Sequence, residues 1–214
     1  MKNKLAFAIY VLSFFLVWTG YVLWVYPWMT TLGDNSLLYA LVNIGIRLVV
    51  WIIPVFLFLR YVDHVDDALD YLQLKSNWRR GVLVGVILAL GILFGTILLH
   101  GLPDFHKVRF TWNSFLSTTL LIGVVEEIPF RGLMLRKFQE QFGFWLANIL
   151  SSLLFLAIHL PGWITLHIFK WQSVISVFLL GFVFSIVVRL TRSLWSSIIA
   201  HGGNNFTSFV LFRM

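Results

Sequence analysis

Apolar residues run through the 214-residue chain in long blocks separated by short polar breaks. A membrane-crossing α-helix needs about 20 mostly apolar residues, and about seven blocks qualify by hydropathy. They cover roughly Leu5–Trp28, Leu37–Leu59, Gly81–His100, Trp112 to the Pro129 region, Phe144–Leu160, Ser173–Val188 and Leu194–Phe212. Trp28, Trp112, Trp145, Trp163, Trp171 and Trp195 fall near block ends, as an interfacial aromatic belt requires. The first block follows Lys2 and Lys4. It is too long for a signal-peptide core and lacks an A-x-A-like cleavage site, so it reads as a retained anchor.

Composition supports the same picture. The chain is 59% hydrophobic and only 12% charged, whereas soluble domains carry about 25% charged residues. That is too little charge to coat a water-facing surface. The expected fold is all-α: a polytopic transmembrane helical bundle, with residues 1–214 as a single integral membrane domain. The formal charge is +7, but most basic residues flank apolar blocks. Membrane lipid is therefore the expected partner of that charge, and nucleic acid is not. The absence of cysteine removes disulfides, thiolate catalysis and thiolate metal sites.

The basic residues also predict orientation. Lys2, Lys4, Arg60, Lys75, Arg79, Arg80, Arg136, Lys137, Arg189 and Arg192 fall on one side of a seven-span topology. Lys107, Arg109, Lys170 and Arg213 fall on the other. This bias places the N-terminus in the cytoplasm, in what is expected to be a bacterial plasma membrane. The segment "YVDHVDDALDYLQLKSNWRR" reads as a cytoplasmic amphipathic connector in which His64 is a solvated loop residue. His100, His106 and His167 have the same ordinary reading.

Ionisable groups inside spans cost about 2.5 kcal/mol or more and mark function by default. Five stand out: Arg47, Glu126, Glu127, His159 and His201. In "GVVEEIPFRG", Glu127 and Arg131 are spaced i,i+4 and share a helix face, so they can form an ion pair. Glu126 points about 100° away and has no such partner in its own helix. Burial of that carboxyl suits a general base. Pro129 cannot donate to the Val125 carbonyl, so the helix should kink beside the acids. Asn148, Ser152 and His159 form a polar stripe on the fifth span. Ser197, His201, Asn204 or Asn205, and Ser208 follow helical spacing on the seventh.

Peptide hydrolysis uses such groups together. A base activates water, and donors stabilise the tetrahedral oxyanion. Glu126 with His159 can hold and deprotonate water. His201 and Asn205 can supply the donors, with Glu127 and Arg131 as support. The assembly needs Glu126 and His159 at one depth. That predicts one long kinked helix over roughly Trp112–Gln139, a fifth span that starts later than Phe144 or tilts, and an intramembrane hydrophilic cavity.

The motifs "EEIPFRG", "FLAIH" and "HGGNN" resemble E-E-x-x-x-R, F-x-x-x-H and H-x-x-x-N of the CPBP family of intramembrane endopeptidases. That family is also called the CAAX protease and bacteriocin-processing family, or Abi proteins. The resemblance spans roughly Trp112 to Phe209, which makes 112–209 the expected catalytic core. It implies catalytic roles for Glu126, His159, His201 and Asn205, supported by Glu127 and Arg131. The first three spans match only in being apolar. The family is described both as metalloproteases and as metal-free glutamate enzymes. Glu126, His159 and His201 are the three-ligand set if zinc is used. Neither His has a carboxylate partner in its own helix, so no cofactor is the expectation. The implied substrate is a membrane-associated, CaaX-like or bacteriocin-like peptide or protein. Two readings from other classes compete. One is a non-catalytic immunity or scaffold protein of the same fold. The other is a small transporter, which would require repeated halves; none is visible. Oligomeric state is not written in the sequence.

Overall fold

The computed structural model describes residues 3–33, 36–106, 108 and 110–212. Lys2, Lys107, Arg109 and Arg213, which enter the charge-bias argument, lie outside the described residues. All regular elements among the described residues are helical. They are α1 (Lys4–Thr30), α2 (Leu37–Val62), a short α3 (Ala68–Tyr71), α4 (Trp78–His100), α5 (Asn113–Thr165), α6 (Trp171–Thr191) and α7 (Trp195–Asn205, prolonged by Phe206–Leu211). Helices α1, α2, α4, α5 and α6 are long and apolar enough to cross a membrane.

α5 makes two passes, because it reverses at Gly143. That residue takes φ 71 and ψ 177, a conformation open to glycine and strained for other residues. With α7 there are seven long helical arms among the described residues, in line with the seven apolar blocks of the sequence. The first arm of α5 runs through residues 113–142 and the second begins at Phe144. Of the two arrangements expected for the fifth span, a late start or a tilt, the late start is not seen. Equal depth comes instead from the length of the first arm. Glu126 lies 17 residues before Gly143 and His159 lies 16 after it. At 1.5 Å rise per residue both sit about 25 Å from the reversal.

The prolines do not break their helices. Upstream of Pro27 and Pro54, the backbone widens to i→i+5 bonding: the Tyr26 N–H donates to the Tyr21 carbonyl, and the Ile53 N–H to the Leu48 carbonyl. Around Pro129 the wide turn is Ile128–Met134, where the Leu135 N–H donates to the Phe130 carbonyl. Widening relieves the clash of the proline ring with the preceding turn. At Pro129, where a kink is expected, the helix carries this local widening and continues.

Small residues bring the helices together, as expected where lipid supplies no hydrophobic drive between them. Gly81, Gly85 and Ala89 form one stripe on α4 that receives α7. A Cβ on Gly85 would lie 2.8 Å from Ile199 Cβ, and one on Gly203 would lie 2.4 Å from Ala89 Cβ. α7 approaches the first arm of α5 even more closely. A Cβ on Gly123 would lie 2.2 Å from the Ile198 carbonyl oxygen, and one on Gly202 would lie 2.7 Å from the Thr119 oxygen. These contacts flank Glu126 and His201 and fix their helices at backbone distance.

α1 and α2 add an aromatic wall. Phe14, Trp18, Trp51 and Phe130 pack edge to face, with ring centroids 5.0 Å apart for Phe14–Trp51 and 4.7 Å for Trp18–Trp51. The connector around α3 is docked as well as charged. Leu72 is buried against Gly132 and Leu194. The Leu194 N–H donates to the Gln73 carbonyl and Trp195 Nε1 to the Leu74 carbonyl.

Candidate functional site

The predicted Glu127–Arg131 pair forms. Arg131 Nη1 donates to Glu127 Oε1 at 3.1 Å, and both side chains are fully buried. The guanidinium carbon lies over Phe155, 4.1 Å from the ring centroid. Gly181 of α6 makes room for it, since a Cβ there would meet Arg131 Nη2 at 2.9 Å. The same Glu127 oxygen takes a second bond from α7: His201 Nδ1 lies 2.9 Å away. Because a carboxylate can only accept, that ring nitrogen carries a proton. One carboxylate therefore orients the imidazole while the arginine offsets its charge.

Glu126 faces the other edge of the same imidazole. His201 Nε2 is 3.7 Å from Glu126 Oε2. Glu126 also has a cationic neighbour that helix spacing does not reveal: Arg47 Nη1 of α2 lies 3.9 Å from Glu126 Oε1. Glu126 has no such partner in its own helix, as its spacing implies, and this one comes from another. Both contacts are longer than hydrogen bonds. The two adjacent acids thus differ in kind. Glu127 is capped at bonding distance, whereas Glu126 is surrounded at ion-pair distance with its lone pairs uncommitted to these neighbours.

His159 closes the site from the second arm of α5. Its Nδ1 donates to the Phe155 carbonyl at 2.9 Å, which leaves Nε2 as an acceptor when the ring is neutral. It lies within electrostatic reach of Glu126, His201 and Arg131. Phe155 sits between the two imidazoles, with centroids 5.2 Å from His159 and 5.8 Å from His201. Trp18 of α1 donates from Nε1 to the Ile158 carbonyl at 2.8 Å, bracing the turn before His159. His159 is half-buried, unlike the sealed Glu127 and Arg131.

Asn205 lies one turn beyond His201 on α7 and is buried. Its Oδ1 accepts from Asn204 Nδ2 at 3.2 Å, so its own Nδ2 is the end left to donate. The structure therefore brings Glu126, Glu127, Arg131, His159 and His201 into one cluster, with Asn205 beside it on the helix that carries His201. The polar stripe on the fifth span divides. Asn148 Nδ2 donates to the Phe182 carbonyl of α6, and Ser152 donates to Asn148. Those two hold helices together, and only His159 reaches the cluster. No three His, Asp or Glu side chains among the described residues converge closely enough to hold one metal ion. The set Glu126, His159 and His201 does not fit zinc in this arrangement.

Sequence reasoning missed the contribution of α1 and α2. Trp18, Asn43, Arg47 and Trp51 line or brace the cluster. The available signal was Arg47 itself, an uncompensated charge in an apolar span.

Comparison with known proteins gives one match. Residues 107–207 match the family model described as type II CAAX prenyl endopeptidase Rce1-like. All three motif segments lie within that match. Searches of curated proteins and of solved structures found no match.

Proposed function

We propose that the chain is an intramembrane protease of the kind its residues 107–207 resemble, the Rce1-like type II CAAX prenyl endopeptidases, and that it cleaves its substrate with water activated by Glu126. The difference between the two acids carries the reading. Glu127 has its Oε1 taken up by Arg131 and His201. Glu126 keeps lone pairs available to accept a proton, with its neighbours held at 3.7 and 3.9 Å.

The steps follow from these positions. His159 Nε2 accepts one hydrogen of a water, and Glu126 takes the other proton as the oxygen attacks the scissile carbonyl carbon. The tetrahedral oxyanion is stabilised by N–H donors from His201 Nε2 and Asn205 Nδ2. His201 can play that part only with both ring nitrogens protonated, since Nδ1 already donates to Glu127. Glu126 then passes its proton to the leaving nitrogen as the C–N bond breaks, giving a free amine and a new carboxylic acid, whose remaining proton goes to solvent. Glu127 and Arg131 keep His201 and Phe155 in place.

The metal-free form is the reading we favour, because a zinc centre would require Glu126, His159 and His201 to move together. The substrate class is a membrane-associated peptide, CaaX-like or bacteriocin-like. We take the connector face, with residues 63–77, as cytoplasmic in a bacterial plasma membrane. A role as a non-catalytic immunity protein would leave the contrast between Glu126 and Glu127 without a use. The test is incubation of the purified protein with a membrane-peptide library, with and without a chelator, and product identification by mass spectrometry. Cleavage that persists with chelator supports the proposal. Cleavage abolished by chelator and restored by zinc overturns its metal-free form, and no cleavage overturns the protease reading of this chain.

A further inference from the structure

Arg47 is on α2, outside the segment that matches the family, yet its Nη1 is 3.9 Å from Glu126 Oε1. It is held there by a network of its own. Arg47 Nε donates to Asn43 Oδ1 at 3.1 Å, and the guanidinium lies 5.8 Å from the Trp18 ring centroid. Asn43 is fixed in turn. Its Nδ2 donates to Ser117 Oγ at 2.9 Å and to Asn113 Oδ1 at 3.1 Å, and its Oδ1 also accepts from Tyr21 at 3.2 Å. Three helices thus spend buried polar groups on aiming one guanidinium, and such groups are costly unless satisfied.

The distance separates two roles. An arginine that merely neutralised a buried acid would close to hydrogen-bond length, as Arg131 does on Glu127 at 3.1 Å. Arg47 stops short, so it supplies field without occupying the carboxylate. We infer that Arg47 is a positioning residue for the reaction, held by Asn43 and Trp18 so that its charge keeps the Glu126 carboxyl turned toward His201 while leaving its oxygens free to take a proton. This rests on the proposed role of Glu126 as base. The charged and titratable groups around Glu126 are Arg47 of α2, Glu127 and Arg131 of the first arm of α5, His159 of the second arm, and His201 of α7. Arg47 is the one among them that is neither capped onto Glu127 nor assigned to water or oxyanion.

Two measurements on purified protein test this. The first is infrared spectroscopy of the carboxyl bands, with the Glu126 signal assigned by its loss in Glu126→Gln. It needs no turnover, so it judges Arg47 even where the protease reading fails. The Glu126 band should keep its position in Arg47→Lys and shift in Arg47→Met, where the carboxyl loses the charge that orients it. The second is kinetics on a cleaved peptide. Arg47→Met should lower kcat about tenfold or more with KM within about twofold, and Arg47→Lys should recover part of the loss. If Arg47→Met does not fold, Asn43→Ala keeps the charge but frees it, and kcat should fall by a smaller factor. An unchanged Glu126 band in Arg47→Met overturns the inference. So does a raised KM with kcat intact, which would make Arg47 a substrate anchor.

Discussion

Replacing Glu127 by Gln probes the support beneath the site. The side chain is fully buried, and its Oε1 accepts from Arg131 Nη1 and His201 Nδ1 at 3.1 and 2.9 Å. Gln keeps the shape and removes the charge, leaving the guanidinium of Arg131 buried at 1% exposure without its counter-ion. Breaking a buried pair in this way costs about 3–5 kcal/mol. The double variant Glu127→Gln/Arg131→Met removes both charges, and a buried pair replaced as a unit is often near neutral. Most of the lost stability should therefore return, so the two losses are strongly non-additive. Activity should not return, because His201 has lost the carboxylate that orients it. Unfolding in detergent micelles, followed by the fluorescence of the ten tryptophans, measures the first quantity, and peptide cleavage the second. Additive losses in the double variant, or full activity in Glu127→Gln, would refute the reasoning.

Other expectations follow from single contacts. Gly123→Ala places a Cβ 2.2 Å from the Ile198 oxygen, whereas Gly95→Ala meets nothing within 4 Å. The first should destabilise by about 1–3 kcal/mol and reduce cleavage by moving Glu126 from His201; the second should leave both unchanged in the same assays. Trp18→Phe loses the 2.8 Å bond to the Ile158 carbonyl. It should cost about 0.5–1.5 kcal/mol and show faster hydrogen exchange at the turn before His159. In the connector, burial pushes the Tyr71 hydroxyl, which donates to Glu140 at 3.2 Å, up to about 12. A folded-state value raised above the unfolded one gives stability that is present below pH 10 and lost as pH rises through about 12. Tyrosinate absorbance and tryptophan fluorescence should show the connector loosening across that window, and Tyr71→Phe should flatten it.

What the sequence disclosed and what it hid divide along one physical line. Contacts within a helix were legible. The i,i+4 spacing of Glu127 and Arg131 predicted their ion pair, and the length of the apolar blocks predicted seven long helical arms. Contacts between helices were not legible. The bond from His201 to Glu127 joins residues 74 apart, and it depends on how α7 is rotated against α5. That rotation is set by Gly123 and Gly202, whose spacing is visible but whose partners are not. Arg47 was visible as a charge in an apolar span, but its neighbour could not be read because hydropathy carries no azimuth. The late start expected for the fifth span shows the same limit. The long helix expected over Trp112–Gln139 does form, but a wide turn at Ile128–Met134 carries it on to a reversal at Gly143 that no spacing announces.

The central claim is that Glu126 does the chemistry in the cluster built by α5 and α7. Its most direct test is the turnover of Glu126→Gln beside wild type on one peptide substrate, in protein of equal unfolding midpoint. Loss of the base should cost at least about 100-fold in kcat. Cleavage by Glu126→Gln at the wild-type rate would contradict the account.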